Sequence, residues 1–230
     1  MTSAPASNSG CDTAQTIATT IHGRYLLAVP DGPGPHPLLV GFHGYGENAE
    51  VHLDALRSIP SAGSWALCAV QALHRFYDRK TEEVVGCWMT KQDRELAISD
   101  NVAYVRGVIE AIRIEPWSGE MLVYAGFSQG VAMAYRAAAF AGFPAQGLIA
   151  LGGDLPEDVL ETGMIGFPDL LIGTGTEDPW YTPARLAEDQ AKLETLGLKP
   201  TTLVFEGGHE WTEAFRIRAG AFLEGVLRGS

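Results

Sequence analysis

Six runs along this chain are apolar at consecutive positions: "LLVGF" (38–42), "WALCAV" (65–70), "MLVYAGF" (121–127), "GLIAL" (147–151), "DLLIGT" (169–174) and "TTLVFE" (201–206). A strand with one wet face alternates apolar and polar residues, so unbroken runs predict strands covered on both faces. Between them lie stretches patterned as amphipathic helices: "AEVHLDALRSI", "DRELAISDNVAYVRGVIEAI", "SQGVAMAYRAAAFAG", "PARLAEDQAKLETLG" and "EWTEAFRIRAGAFLEGVLRG". In the second, Leu96, Val102, Val105, Val108, Ile109 and Ile112 recur close to the helical period. Ahead of the six runs, "TIATTI" and "RYLLAV" read as paired strands joined at His22-Gly23, and "PDGPGPHP" as a turn cluster. The alternation of strand and helix predicts an α/β fold, a mostly parallel sheet with helices on both faces.

Composition narrows this picture. With 230 residues, 46% of them hydrophobic, the chain buries a full core, and no break in composition divides it, so a single domain over residues 16–230 is expected. The opening "MTSAPASNSGCDTAQT" has neither a basic start nor an apolar run, which makes residues 1–15 a loose tail and not a signal peptide or a membrane span. The formal net charge is −12 and the 16 Lys and Arg are scattered, which disfavours nucleic acid and anionic membranes as partners. The one local basic cluster, "HRFYDRK", reads as a solvated loop face. Cys11, Cys68 and Cys87 are odd in number and lack C-x-x-C spacing, which points away from disulfides and zinc and towards the reducing cytoplasm.

The candidate chemistry starts at "GFSQG", where Ser128 stands between Gly126 and Gly130. In a chain with 27 glycines a G-x-S-x-G string alone is weak, and its value depends on its context. Here a buried-type strand precedes it and an alanine-rich helix follows. Such a strand-turn-helix junction projects the serine hydroxyl above the sheet and leaves the backbone amide of Gln129 at the helix N-terminus, where it can stabilise an oxyanion. A serine hydroxyl needs a base, and the base needs an acid to orient it. His209, in "VFEGGHEW", follows the last strand and so lies at the same carboxyl edge of the sheet. His43, in "GFHGYG", is its competitor, but its loop is the one expected to supply a second oxyanion amide, from Tyr45 or its neighbour. For the acid, Asp178 in "GTGTEDPWYTP" is favoured over Asp154 in "GLIALGGDLPED", because its strand is next in sequence to the one that delivers His209.

The segments "GFHGYGEN", "GFSQGVAMAY", "GTGTEDPWYTP" and "FEGGHEW" resemble the landmark motifs of the phospholipase/carboxylesterase family of α/β-hydrolases, which includes the acyl-protein thioesterases. "AVQALHRFY" and Trp88 resemble the family's stretch between the fourth strand and the next helix, so that the likeness runs from about residue 16 to the end. The resemblance implies a serine esterase or thioesterase without a separate lid domain. It implies Ser128, Asp178 and His209 as catalytic residues, the amides of Tyr45 and Gln129 as oxyanion hole, and neither cofactor nor metal. Val131 stands where the family repeats a glycine, and Trp180-Tyr181 replace small apolar residues after Asp-Pro. Trp88, Trp180 and Tyr181 are therefore candidates for the substrate pocket, with packing as the alternative role of the last two, and bulky rings at the rim predict short acyl groups. The expected partner is a small-molecule ester or thioester, with no stable membrane insertion; a homodimer is left open. A peptidase or amidase of the same fold, and an inactive binding protein built on it, are the alternatives.

Overall fold

The computed structural model describes residues 13–229, so most of the tail expected over residues 1–15, Cys11 included, lies outside the described residues. In chain order the elements are β1 (Arg24–Ala28), β2 (His36–Phe42), α1 (Ala49–Arg57), β3 (Ala66–Gln71), β4 (His74–Tyr77), β5 (Val84–Cys87), α2 (Arg94–Arg113) and β6 (Ser118–Phe127). They continue with α3 (Gln129–Phe140), β7 (Gly147–Leu151), α4 (Glu157–Leu160), β8 (Asp169–Gly175), α5 (Pro183–Thr195), β9 (Thr201–Phe205) and α6 (Glu213–Arg228). Seven strands form one sheet in the order β1-β3-β2-β6-β7-β8-β9, parallel throughout except for β1 against β3.

Each of the six apolar runs is a strand of this sheet, and the reason for their unbroken apolarity is visible along β2. Leu38, Val40 and Phe42 enter the core on one face with Val105 and Ile109 of α2, Val131 and Ala134 of α3 and Leu186 of α5. Leu39 enters the core on the other, with Leu53 and Leu56 of α1 and Phe215 and Leu223 of α6. Successive side chains of a strand point to opposite faces, so both sets must be apolar when both faces are covered. The last run is the exception: β9 is an edge strand and Val204 is 45% exposed.

Two expectations need correcting. "TIATTI" forms no strand; residues 13–23 carry no regular structure, and β1 pairs with β3 across the register Arg24↔Gln71 to Ala28↔Leu67 instead of with a hairpin partner. In α2, Leu96 is 51% exposed, and the buried face is taken up at Ala97 and Asn101. The segment between β3 and α2 also holds the two-stranded hairpin of β4 and β5, which no apolar pattern announced. No helix among the described residues is long and apolar enough to cross a membrane.

Candidate active site

The site is built where β6 meets α3. Ser128 occupies the N-cap position of α3 with φ 53° and ψ −121°, outside the extended geometry that a capping serine takes, and its hydroxyl makes no cap bond. A positive φ at a residue with a Cβ is strained, and the surroundings hold it in place. The Ser128 N–H donates to the Leu151 carbonyl at the end of β7 (2.9 Å), and its carbonyl accepts from Val131 N–H (3.0 Å). Close packing of the turn depends on Gly130, where an added Cβ would lie 2.0 Å from the Phe42 carbonyl oxygen.

Asp178 and His209 are brought together by their loops. Backbone N–H groups of Thr176 and Glu177, after β8, donate to the carbonyls of Phe205, the last residue of β9, and Gly207, beyond it, at 2.8 and 2.9 Å. Gly175 allows this approach, since a Cβ there would lie 2.3 Å from the carbonyl oxygens of both Gly207 and Gly208. Asp178 Oδ2 is 2.8 Å from His209 Nδ1, while Oδ1 accepts from the N–H groups of Trp180 (2.8 Å) and Tyr181 (3.0 Å). The carboxylate is thus buried and saturated with donors. Asp154 turns elsewhere: it pairs with Arg185 at 2.8 Å at the surface.

Ser128 and His209 share one pocket of about 500 Å³ with Tyr45, Glu47, Phe127 and Trp180. The Phe127 ring lies against the His209 imidazole, centroids 4.8 Å apart. No hydrogen bond joins the Ser128 hydroxyl to His209, among the described residues; such bonds are often long until substrate is bound. The backbone N–H groups of Tyr45 and Gln129 make no hydrogen bond to any described residue, so both donors are free.

His43 is not the base. It is fully buried, its Nδ1 lies 2.7 Å from the Gly44 carbonyl, and its Nε2 accepts from Ala72 N–H at 3.0 Å. Those partners fix the neutral tautomer with the proton on Nδ1, and burial lowers its pKa to about 4. It holds the loop in shape.

Two of the three aromatic residues expected in the pocket are not there. Trp88 is 0% exposed and acts as a clamp: its indole N–H donates to the His43 carbonyl (2.8 Å), its backbone N–H to Gln129 Oε1 (2.8 Å), and its carbonyl accepts from Asn101 Nδ2 (2.8 Å). A buried indole must find an acceptor, and this one lies beneath the site and not inside it. Tyr181 is 1% exposed, with its hydroxyl 3.2 Å from Asp189 Oδ2 and its carbonyl accepting from the Thr174 hydroxyl. Trp180 alone stands at the rim, 69% exposed.

Sequence reasoning missed Glu47. Its Oε2 accepts from Gly44 N–H at 2.7 Å, and its carbonyl accepts from Gly86 N–H of β5 at 2.9 Å, while Gly46 N–H donates to the Gly86 carbonyl at 3.0 Å. Burial pushes its carboxyl up from the ordinary range, while the Gly44 N–H and the neighbouring His209 draw it down. A carboxylate inside "GFHGYGEN", two residues from the amide expected in an oxyanion hole, was the available signal. No group of three or more His, Cys, Asp or Glu that could hold a metal ion occurs among the described residues.

No protein-family model matches the sequence, and no curated protein matches it. Solved structures do. The chain is similar to the Bacillus cereus carboxylesterase at 17% identity, over 89% of this chain and 94% of that one, with a TM-score of 0.66. It is similar to Zea mays acyl-protein thioesterase 2 at 18% identity, over 90% of this chain and 100% of that one, with a TM-score of 0.67. It is also similar to a phospholipase/carboxylesterase from Dyadobacter fermentans at 20% identity, over 91% and 99% of the two chains, with a TM-score of 0.62. Likeness of this extent at such low identity is a likeness of architecture, and the chain accordingly has the α/β-hydrolase fold, with no separate lid domain among its described residues.

Proposed function

We propose that the protein is a serine hydrolase that cleaves carboxylic esters or thioesters of small to medium acyl groups through a covalent acyl-serine. The single observation that carries this reading is the shared pocket: Ser128 on a strained strand-to-helix turn faces the same cavity as His209, whose Nδ1 is held 2.8 Å from a buried Asp178. The fold shared with carboxylesterases and an acyl-protein thioesterase adds weight by analogy.

In this mechanism His209 Nε2 takes the Ser128 proton as Oγ attacks the carbonyl carbon. The free N–H groups of Tyr45 and Gln129 hold the resulting oxyanion, a role in which one donor is commonly worth about 3 to 4 kcal/mol. The tetrahedral intermediate collapses by breaking the bond to the leaving oxygen or sulfur, which receives the proton from His209. Water then adds to the acyl-serine with His209 again as base, and Ser128 leaves with its proton restored. Asp178 accepts a hydrogen bond from His209 Nδ1–H throughout, which keeps the proton on Nδ1 and leaves Nε2 available as the base. These side chains, two amides and water complete the reaction, with no part left for a cofactor or metal ion.

The test is a Ser128→Ala variant with a fluorophosphonate probe. Loss of both chromogenic-ester turnover and labelling, with an unchanged unfolding temperature, is the expected result. Retention of more than a few per cent of turnover by the purified variant would remove Ser128 from the mechanism.

A further inference from the structure

Three aromatic residues line the pocket of Ser128 and His209, Tyr45, Phe127 and Trp180, with Glu47 as the one carboxylate and no Lys or Arg. Tyr45 and Trp180 are 64% and 69% exposed, so their rings are open to a ligand and not committed to the core. Glu47 sits close to the reacting centre. A Cβ built on Gly44 would lie 3.1 Å from Glu47 Oε2, 3.2 Å from Phe127 Cδ1 and 3.3 Å from Ser128 Cβ, so carboxylate, ring and nucleophile surround one small vacancy. Gly44 N–H occupies Oε2, whereas Oε1 has no hydrogen bond or ion pair among the described residues and is not sealed from solvent.

An anionic group this near Ser128 repels the developing oxyanion and any anionic substrate, although it also favours the His209 imidazolium that forms during turnover. A half-buried carboxylate whose neighbouring His209 is charged only when protonated is also costly in itself. Both costs are relieved by a ligand that brings the missing positive charge, and aromatic faces beside a carboxylate are the surroundings that hold quaternary ammonium groups. The net charge of −12 attracts such a ligand and repels phosphate esters and free carboxylates, the released acid included.

Resting on the ester-hydrolase reading above, we propose that the pocket is specific for small esters that carry a permanent positive charge and no phosphate, with Glu47 as the counter-charge and Tyr45 and Trp180 as the ring faces. The charge sits a few bonds from the scissile carbonyl, because the pocket places Glu47 beside Ser128. Inside the pocket the attraction between Glu47 and a cation is less screened than it would be in water.

The decisive comparison is kcat/KM for butyrylcholine against 3,3-dimethylbutyl butyrate, which has the same shape with carbon in place of the charged nitrogen. The wild-type protein is expected to favour the cation by about tenfold or more, and Glu47→Gln to bring the ratio down to about one. Because Gln can still accept from Gly44 N–H, and because a general loss of activity cancels in the ratio, the change reports the charge alone. A wild-type ratio of one or less, or a ratio that Glu47→Gln leaves unaltered, overturns the proposal. If the neutral ester is turned over through Ser128 and the ratio is flat, this inference fails and the hydrolase reading stands. If neither ester is turned over, calorimetric titration of Ser128→Ala with butyrylcholine still decides: saturable binding weakened about tenfold by a second change, Glu47→Gln, supports the cation site, and absence of binding refutes it.

Discussion

Replacing Asp178 by Asn tests the proposed mechanism at one atom. The carboxylate has three partners: His209 Nδ1 on Oδ2, and the N–H groups of Trp180 and Tyr181 on Oδ1. An asparagine amide can keep its oxygen on the two backbone donors or turn it towards His209, but not both. Turning it would set its own NH₂ against two N–H groups in a site where Asp178 is 4% exposed, so that two buried donors would lose their acceptor, at about 1 to 3 kcal/mol each. The oxygen therefore stays on the loop and the NH₂ faces His209 Nδ1. A donor there makes Nδ1 the acceptor and moves the imidazole proton to Nε2, the atom that must receive the proton of Ser128.

The expected consequence is a fall in kcat of up to roughly 10⁴, or about 5 kcal/mol of transition-state stabilisation, with little change in KM. Stability should hardly move, because the loop keeps its two acceptor contacts. Asp178→Ala separates the two roles: it loses the same catalysis and in addition strands the Trp180 and Tyr181 N–H groups, so its unfolding temperature should fall by several degrees while that of Asp178→Asn does not. Turnover of one soluble chromogenic ester and a thermal melt, measured on both variants and on Asp154→Asn, provide the check. Asp154 is paired with Arg185 at the surface, and its substitution should cost far less. An Asp178→Asn enzyme within tenfold of wild type, or an Asp154→Asn enzyme as impaired as Asp178→Asn, would refute the argument.

Gln129→Ala removes the side-chain bonds to Trp88 N–H and the Met89 carbonyl, so the unfolding temperature should drop by roughly 3 to 10 °C; an unchanged melt would mean that this clamp does not hold the loop. Trp180→Ala should extend the acyl-chain profile towards longer esters, and an unaltered profile would show that the rim does not set chain length. Acid should destabilise the fold early: His43 and His52 have pKa values of about 4 and about 3 when folded against 6.5 when free, so the unfolded chain binds the extra protons. That contribution is intact above pH 6.5 and is lost as the pH falls towards 4, by about 2 kcal/mol per histidine between pH 6.5 and 5. A urea midpoint that is the same at pH 7 and pH 5 would contradict it.

The sheet was legible because two-sided burial writes itself into consecutive residues, as in "GLIAL", whose five residues are all buried. Short-range pattern failed where pairing is decided by something distant. "TIATTI" has the β-branched composition of a strand, but β1 takes its partner from β3, far along the chain, and "TIATTI" does not pair with the outer edge that β1 leaves open. The β4 hairpin strand hid behind "HRFY", four exposed residues with no buried face to betray them; the bridge of Gly86 to Glu47 beneath the Tyr45 loop gives it a place that the sequence does not encode.

At the proposed site, chain position put Ser128, Asp178 and His209 at one edge of the sheet, because loops after parallel strands gather there, and the structure has Ser128 and His209 on one pocket with Asp178 beside His209. Side-chain direction was the illegible part, and Trp180-Tyr181 shows why. Asp178 Oδ1 draws in both their N–H groups and so wraps the chain around the carboxylate. Within that turn the two rings diverge, Trp180 into solvent and Tyr181 inward to Asp189. A pair of adjacent aromatics therefore divides between pocket rim and core, and the divider is the carboxylate that also bonds His209. Trp88 follows the same logic: Gln129, the residue after Ser128, uses its side chain to hold the Trp88 backbone N–H, and the Trp88 indole in turn holds the His43 carbonyl at the start of the loop that carries Tyr45. The two free amides are thus tied to one another through a buried ring, so their spacing is set by packing and not by either loop alone.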